Sequence, residues 1–224
     1  HGEHDLYGHE FCIYDPLVNV PLLVKHPDLP AERDERNQVE LQDLYHTVLD
    51  HAGTDAAAGG EPFDPARSLL GEEYRDFAAV DDPGGQTRFP AHDDGELDDY
   101  AFVDYHRPVV ELRQLESKAA AAGIELDEDS RFYSRMRAAR RPDGKVIRNE
   151  RVADEAYRLD TDPDERGDLA GSDDDDDVIV ATETALSDFE SEMDGEWDDH
   201  TDDDVLDDMG EEAKDRLSDL GYIE

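Results

Sequence analysis

The stretch that decides the expected fold is Gly2-Glu3-His4-Asp5-Leu6-Tyr7-Gly8-His9, which is followed by Tyr14-Asp15-Pro16 and Val20-Pro21-Leu22-Leu23-Val24. Residues 1–15 are rich in His, Gly and Asp, a composition typical of a loop. The short apolar run over residues 18–24 predicts a buried strand that begins after its internal proline. The sequence therefore predicts a polar loop that leads into a core strand.

Outward from this stretch, the next periodic segment predicts an amphipathic helix over residues 41–49. Its apolar residues follow the i, i+3, i+4, i+7, i+8 pattern and are Leu41, Leu44, Tyr45, Val48 and Leu49. Gly53 is suited to end this helix, because glycine readily takes the left-handed conformation. A second short strand is predicted over residues 76–80, and residues 81–99 are loop-like.

The second half of the chain predicts a small antiparallel meander. Residues 132–139 are strand-like, and Arg141-Pro142-Asp143-Gly144 is a good turn from which residues 145–148 can return. Residues 153–159 would add a third strand. Apolar spacing predicts flanking helices over residues 108–122, 178–193 and 205–220.

The charge of the chain is extreme. Its 224 residues carry a formal net charge of −42, with 63 acidic residues against 21 basic ones, of which only four are Lys. Two explanations compete: disorder, and a protein that folds in molar salt, where a Debye length of about 3 Å removes most self-repulsion. The periodic apolar residues favour the folded protein, adapted to the salty cytoplasm of a halophile.

Composition also excludes several classes of protein. A strongly negative field repels nucleic acid and anionic membranes, so neither is an expected partner. The single cysteine, Cys12, allows no intramolecular disulfide and no cysteine-based zinc site. No window approaches 18 consecutive apolar residues and the first residues are polar, so neither a membrane span nor a signal peptide is expected. We therefore expect a cytoplasmic protein.

Two local charge patterns admit a bland and a sharp interpretation. Asp160-x-Asp162-x-Asp164 suggests a calcium loop, but the positions that need Gly and Glu hold Glu165 and Gly171, so an acidic turn is expected. Residues 131–151 contain eight basic residues against two acidic ones. We expect these bases to pair with the acidic body of the protein or with a missing half; the alternative is an arginine rim that faces an anion such as sulfate.

The opening stretch resembles the segment that follows the second metal-ligand pair of sulfatases in the alkaline-phosphatase-like superfamily. That segment reads Gly-Glu-His/Arg, a small residue, Leu-aromatic, one residue, then Lys or His. Residues 2–9 fit it without a gap, although Asp5 replaces the small residue. Phe11, Tyr14-Asp15 and Val20-Pro21-Leu22 match the Phe-x-x-Tyr-Glu/Asp and Val-Pro-Leu that follow in the family.

Three later segments are similar to the same family, in the expected order. Residues 39–53 are similar to its Val-Ser-Leu-x-Asp-Leu-Tyr-Pro-Thr-Leu-Leu-x-x-Ala-Gly helix, with His46 in place of Pro. Residues 156–165 are similar to its Leu-Tyr-Asp-Leu-x-x-Asp-Pro-x-Glu, and residues 214–222 look like the end of many such chains. Residues 81–130 match least and are interpreted as a lineage-specific insertion.

The resemblance implies a fold class and a division of the chain. The fold class is α/β: the C-terminal part of an alkaline-phosphatase-like sulfatase domain, with a small antiparallel sheet and flanking helices. Residues 1–90 would be a remnant of the core domain and residues 91–197 a C-terminal subdomain. Residues 198–224 would form an acidic linker and a last helix.

The resemblance also implies a chemistry and its limits. Sulfatases hydrolyse sulfate esters with a formylglycine made from the Cys or Ser of Cys/Ser-x-Pro-x-Arg, and a divalent metal, here expected to be calcium, activates it. Cys12 is followed by Ile13-Tyr14-Asp15-Pro16, and no Ser begins the motif, so the nucleophile is missing. The metal ligands should lie upstream of residue 1. This chain alone is therefore expected to be inactive and to bind no metal tightly.

The alignment nominates two substrate-binding residues. His9 occupies the position of the family Lys or His that contacts sulfate, and His4 lies in the same loop, where its main expected role is to fix the loop. A less favoured alignment slides His1-Gly2-Glu3 onto the family's Asp-His-Gly-Glu, which would make His1 a metal ligand. The expected partners are a missing N-terminal half and, in the complete enzyme, a small sulfate ester.

Other functions remain open. The same superfamily contains phosphodiesterases and phosphonate hydrolases. From a different class, the chain would be a non-catalytic acidic binding module that folds by itself and whose apolar surface needs no missing sheet. A third alternative is one half of a split enzyme whose partner restores activity. The burial of the apolar residues discriminates between a self-contained module and an incomplete domain.

Overall fold

The computed structural model describes residues 2–6, 8–27, 29, 38–53, 67–71, 100–172, 176–193, 197, 210 and 216. Its centre is a four-stranded antiparallel sheet in the order β1-β2-β3-β4. The strands are β1 (Ala101–Tyr105), β2 (Met136–Arg141), β3 (Gly144–Asn149) and β4 (Glu155–Tyr157). The helices are α1 (Asp15–Val18), α2 (Leu41–His51), α3 (Val109–Ala122) and α4 (Asp177–Glu192), with 3₁₀ turns at Glu3–Asp5 and Arg131–Tyr133. The predicted α/β chain with a small antiparallel sheet and flanking helices is confirmed.

The predicted meander forms strands β2 to β4. Arg141 pairs with Gly144 across the predicted turn, and Val146 of β3 lies opposite Ala156 of β4. The first strand of the meander begins later than predicted, because residues 131–133 turn into a 3₁₀ helix before β2 starts.

Strand β1 was not predicted. It lies in the segment interpreted as an insertion, yet it pairs with β2 along its whole length, with Phe102 opposite Ala139. Residues 101–105 therefore belong to the sheet.

The two faces of the sheet are covered by different parts of the chain, since successive strand residues point to opposite faces. One face packs under the N-terminal segment, in a cluster that comprises Cys12, Ile13, Tyr14, Met136, Ala138, Ile147, Tyr157 and Leu159. The other face packs under α4, in a cluster that comprises Tyr100, Ala139, Val146, Ala156, Ala185 and Leu186. The sheet therefore lies between the start of the chain and α4.

Local sequence explains where the flanking helices begin and end. The Asp176 carboxylate caps α4 by accepting hydrogen bonds from the backbone N–H groups of Val178 and Ile179. Gly123 ends α3 in the left-handed conformation, with φ of 70°. Both helices lie within about one residue of the predicted ranges. A Cβ at Gly144 would lie 2.5 Å from Cγ1 of Val178, so a side chain at that turn would push α4 away.

The N-terminal elements differ from the prediction. Residues 20–24 pair with no strand in the described part of the chain. Their side chains are exposed rather than buried, and Leu23 reaches 96% exposure. The predicted buried strand is therefore wrong for this chain, because nothing among the described residues covers its apolar side chains.

Helix α2 forms as predicted, and Gly53 follows it with φ of 67°. Its burial is the reverse of a typical amphipathic helix, since its exposed residues include Leu41, Tyr45 and Val48, while its buried residues are Asp43 and His46. Arg67 accounts for part of this, because it donates hydrogen bonds of 2.8 Å to the carboxylates of Asp43 and Glu40. Three of the five residues of the apolar stripe of α2 are thus exposed, and the other two, Leu44 and Leu49, are half-buried.

Some predictions lie outside the described residues. These are the strand over residues 76–80, the linker over residues 198–204, nearly all of the helix over residues 205–220, and His1. Among the described residues, no helix is long and apolar enough to cross a membrane.

Candidate functional site

The segment of residues 2–15 carries the predicted substrate-binding residues and lies against the sheet through Cys12, Ile13 and Tyr14. Cys12 is buried, and burial raises the pKa of its thiol above the ordinary value. It therefore packs as a small hydrophobic residue.

His4 lies inside the 3₁₀ turn Glu3–Asp5, where it takes φ of 54°. Its ring stacks on the ring of Tyr14, with centroids 3.5 Å apart and planes 10° from parallel. Burial lowers the pKa of His4, and the negative charge of Glu165 only partly opposes this. The geometry is that of a neutral histidine that holds the loop against the sheet, in agreement with its expected main role.

His9 lies further along the same loop. Its side chain is 84% exposed, and its Nδ1 is 3.8 Å from a carboxylate oxygen of Glu10. The side chain is therefore accessible to a ligand or to another part of a larger protein. Its contact with sulfate remains a prediction.

A buried ion cluster holds the end of this segment. Lys145 has 0% exposure, and its Nζ donates to the carbonyl of Ile13 at 2.7 Å, to Glu165 at 2.7 Å and to Asp15 at 3.1 Å. Arg140 binds the Asp15 carboxylate through Nε and Nη2, with the shortest contact 2.8 Å. Burial raises the pKa of Asp15, but the Arg140 hydrogen bonds and the Lys145 charge outweigh it and lower the pKa.

Glu165 connects Lys145 to the start of α1. Its carboxylate accepts the backbone N–H of Asp15 at 2.6 Å in addition to the ammonium of Lys145. Its φ of 52° lies in the left-handed region, which is costly for a residue other than glycine. The two charged hydrogen bonds hold this conformation, so the turn at residues 162–165 is fastened to the start of α1.

A second cluster surrounds the Glu155 carboxylate. Tyr14 and Tyr157 each donate their hydroxyl to one oxygen at 2.6 Å, and Arg131 donates to the other at 2.7 Å. Burial raises the pKa of Glu155, but these hydrogen bonds and the Arg131 charge lower it overall. Burial, followed by the bond to Glu155, raises the pKa of both tyrosines well above the ordinary value. The phenols therefore remain protonated donors rather than nucleophiles.

The basic stretch over residues 131–151 pairs with the acidic body of the protein, as the bland interpretation predicted. Seven of its eight bases contact carboxylates, in the pairs Arg131–Glu155, Arg135–Glu150, Arg137–Asp104, Arg140–Asp15, Arg141–Asp143, Lys145–Glu165 and Arg148–Glu190. Arg151 instead donates to the backbone carbonyl of Glu128. Their charge is thus largely engaged within the protein rather than collected at an anion-facing rim.

The acidic motif over residues 160–164 forms the predicted turn. Asp162 accepts the backbone N–H groups of Arg166 and Gly167 at 2.8 Å, and Asp160 binds Arg158. In the described part of the chain, no group of three or more His, Cys, Asp or Glu side chains converges as a metal site would.

The residues that sequence reasoning missed are the buried ones. Asp15 and Glu165 stand within motifs that matched the sulfatase pattern, so their place in those motifs is the signal that could have found them. Lys145 and Glu155 carry no such signal, because their burial depends on partners distant in sequence.

Comparison with models of known protein families and with curated proteins gives no match for this chain. The resemblance to sulfatases therefore rests on the sequence motifs alone.

Proposed function

We propose that the chain is the C-terminal part of a sulfatase-like, metal-dependent hydrolase of sulfate esters, derived from an alkaline-phosphatase-like domain. The formylglycine nucleophile and the metal ligands would come from a preceding segment. This chain would supply His9 on its exposed loop, as a donor to the negative charge of the sulfate. Support comes from the ordered motif matches in residues 2–24, 39–53 and 156–165.

The observation that carries the proposal is an uncovered apolar surface. Ten large hydrophobic side chains are exposed among the described residues, and seven of them lie in two neighbouring elements: Val20, Leu22, Leu23, Val24, Leu41, Tyr45 and Val48. We call these seven residues the N-terminal apolar surface. A large exposed apolar patch marks a surface that another segment covers, and we infer that this segment is the rest of the domain core.

The backbone of residues 20–24 supports the same view. Within the described part of the chain it forms no hydrogen bond. A nearly continuous apolar run is typical of a strand that is buried on both faces of a parallel sheet, with helices as the covers. Residues 20–24 and α2 have the pattern of such a strand and its covering helix. A preceding segment that contributes the rest of the sheet would pair the backbone and bury the side chains.

The expected calcium would be held by the preceding segment, which would supply the metal ligands. When bound, the ion would activate the nucleophile and polarise the sulfate. The part that falls to this chain is to present His9 and to hold the loop through His4, which stacks on Tyr14.

The test compares two proteins in molar KCl with Ca²⁺. One is this chain, and the other is the product of the reading frame extended upstream of residue 1. We expect only the longer product to hydrolyse nitrophenyl sulfate, and His9→Ala to lower its kcat by about 10²–10³-fold, the usual cost of losing a charge-stabilising donor. His106→Ala is the matched control, because His106 is exposed and lies beside a carboxylate, as His9 does.

Three outcomes would contradict the proposal. One is an upstream frame without Asp-His-Gly or without Cys/Ser-x-Pro-x-Arg. The second is turnover by this chain alone that clearly exceeds its own His9→Ala variant. The third is faster hydrolysis of bis(nitrophenyl) phosphate than of the sulfate, which would favour the phosphodiesterase alternative.

A further inference from the structure

Two histidines connect the two elements that carry the N-terminal apolar surface. His26 lies just after residues 20–24, and His51 is the last residue of α2. Nε2 of His26 and Nδ1 of His51 lie 3.2 Å apart, and the two rings are nearly perpendicular at 86°. The contact lies at the surface, so solvent and ions can reach it. The hydrolase proposal gives these two side chains no role.

We propose that this histidine pair is a binding site for a transition-metal dication such as Zn²⁺, with two protein ligands and water in the remaining positions. Two zinc–nitrogen bonds of about 2.0–2.1 Å at a tetrahedral angle would place their nitrogens about 3.4 Å apart. The observed separation of 3.2 Å differs from this by only about 0.2 Å. Rotation of the two rings toward a common point is the main change required.

Without metal, the two rings are joined by one hydrogen bond. In a hydrogen bond between two neutral imidazoles, one nitrogen carries the hydrogen and the other accepts it. When a metal binds, the donor ring takes its other tautomer, so that both facing nitrogens present lone pairs. Each ring keeps one hydrogen on its far nitrogen, and no net proton is released.

The chemistry of the ligands selects the class of metal. Imidazole suits Zn²⁺, Cu²⁺ and Ni²⁺, whereas carboxylates suit Ca²⁺ and Mg²⁺. This site is therefore distinct from the calcium centre expected in the complete hydrolase. A test of the histidine site does not depend on whether the hydrolase proposal is correct. The described residues provide no third His, Cys, Asp or Glu ligand, so coordination positions stay open to water or to a group from a partner.

A bound metal would act as a clip. It would join residues that are 25 positions apart and fix the chain just after residues 20–24 to the end of α2. Because the site exists only when both elements are in place, binding would stabilise that arrangement by mass action. The clip would thus set the relative position of the two elements that form the N-terminal apolar surface.

The experiment titrates the purified, tag-free chain with Zn²⁺ in molar KCl, with a chromophoric chelator as competitor. Excess Mg²⁺ occupies carboxylate sites, which would otherwise contribute background binding. Loss of even an outer partner of a metal ligand costs about 10–100-fold in affinity, so His26→Ala and His51→Ala should each weaken the tightest site by about tenfold or more. His106→Ala should leave it unchanged, since His106 faces the carboxylate of Asp104 instead of a histidine.

A second readout needs no variant. The electron paramagnetic resonance spectrum of the Cu²⁺-loaded chain at equimolar metal should show coupling to two imidazole nitrogens. His51→Gln keeps the size of the side chain without an imidazole and should show coupling to one. Equal zinc affinity in wild type and His51→Ala, or a wild-type copper spectrum with a single imidazole, would overturn the site.

Discussion

The sheet region and the N-terminal elements differ in which side chains they bury. In the sheet region, residues 100–172 and 176–193, Leu186 is fully buried and even the ammonium of Lys145 is enclosed with three partners. In the N-terminal elements, Leu23 is 96% exposed while Asp43 is buried. The comparison teaches that local pattern is sufficient to form α2, whereas burial of its apolar stripe needs a partner that the described residues do not provide.

The largest effect is expected from the buried ion cluster. Lys145→Met removes the cationic partner of the buried Glu165 and one of the two cations at Asp15. Breaking a buried pair in this way costs about 3–5 kcal/mol, so the free energy of unfolding should fall by about that amount. Urea unfolding in molar KCl, followed by circular dichroism, measures it. Lys118→Met, at an exposed position of α3, is the control, and an equal loss in both variants would contradict the role of the cluster.

A pair of leucines tests the comparison directly. Leu186→Ala opens a cavity beneath α4 and should lower the free energy of unfolding by about 2–5 kcal/mol. Leu23→Ala removes an exposed side chain and should change it by less than about 0.5 kcal/mol. The same urea unfolding curves provide both values. A large loss in Leu23→Ala would show that the N-terminal apolar surface is covered in solution, for example by a second copy of the chain.

Acid should destabilise the sheet region in two stages. The folded-state pKa of His4 is lowered by burial, so the unfolded chain binds a proton first and stability begins to fall below about pH 6.5. For Asp15 and Glu155, burial raises the pKa but the hydrogen bonds of Arg140 and of Tyr14 outweigh it, so both values lie below the ordinary ones. Their contribution is present above about pH 4.5 and is lost as the pH falls through the folded-state values.

Unfolding curves at several pH values in molar KCl check this behaviour, because high salt screens the general repulsion between carboxylates. Glu155→Gln should flatten the lower stage, whereas Glu125→Gln, at an exposed position, should not. Stability that rises as the pH falls from 6.5 to 4 would contradict the assignment.

Among the destabilising substitutions, the smallest loss is expected at the start of α4. Asp176→Ala removes the cap on Val178 and Ile179, together with the ion pair to Arg158, and should cost about 1 kcal/mol. Asp188→Ala, the same substitution at an exposed position inside α4, is the matched control and should not destabilise. Thermal unfolding of the two variants side by side measures the difference. Equal melting temperatures would contradict a stabilising role for the Asp176 side chain.

The sequence predicted the features that depend on neighbours along the chain. The turn at residues 141–144 and the glycines after α2 and α3 act locally, so their elements form as predicted. Strand β1 was missed because Asp104 interrupts its short apolar run and its partner β2 lies more than 30 residues away.

The candidate site was predicted in part. The loop position of His4 and His9 followed from the motif, but the clusters around Asp15 and Glu155 require residues that are over 100 positions apart. Helical periodicity gave the apolar stripe of α2 correctly. It could not show which partner covers that stripe, because periodicity defines a face and not its contact.

The enclosed position of Lys145 has a practical consequence for chemical labelling. Lys25 and Lys118 are exposed, so amine-reactive reagents can modify them while the protein is folded. Lys145 is shielded and can react only when the sheet separates from residues 13–15 or unfolds altogether. Because the chain has only four lysines, label at Lys145 is easily assigned in a mass spectrum. The rate at which this label appears therefore measures the rate at which the sheet region opens.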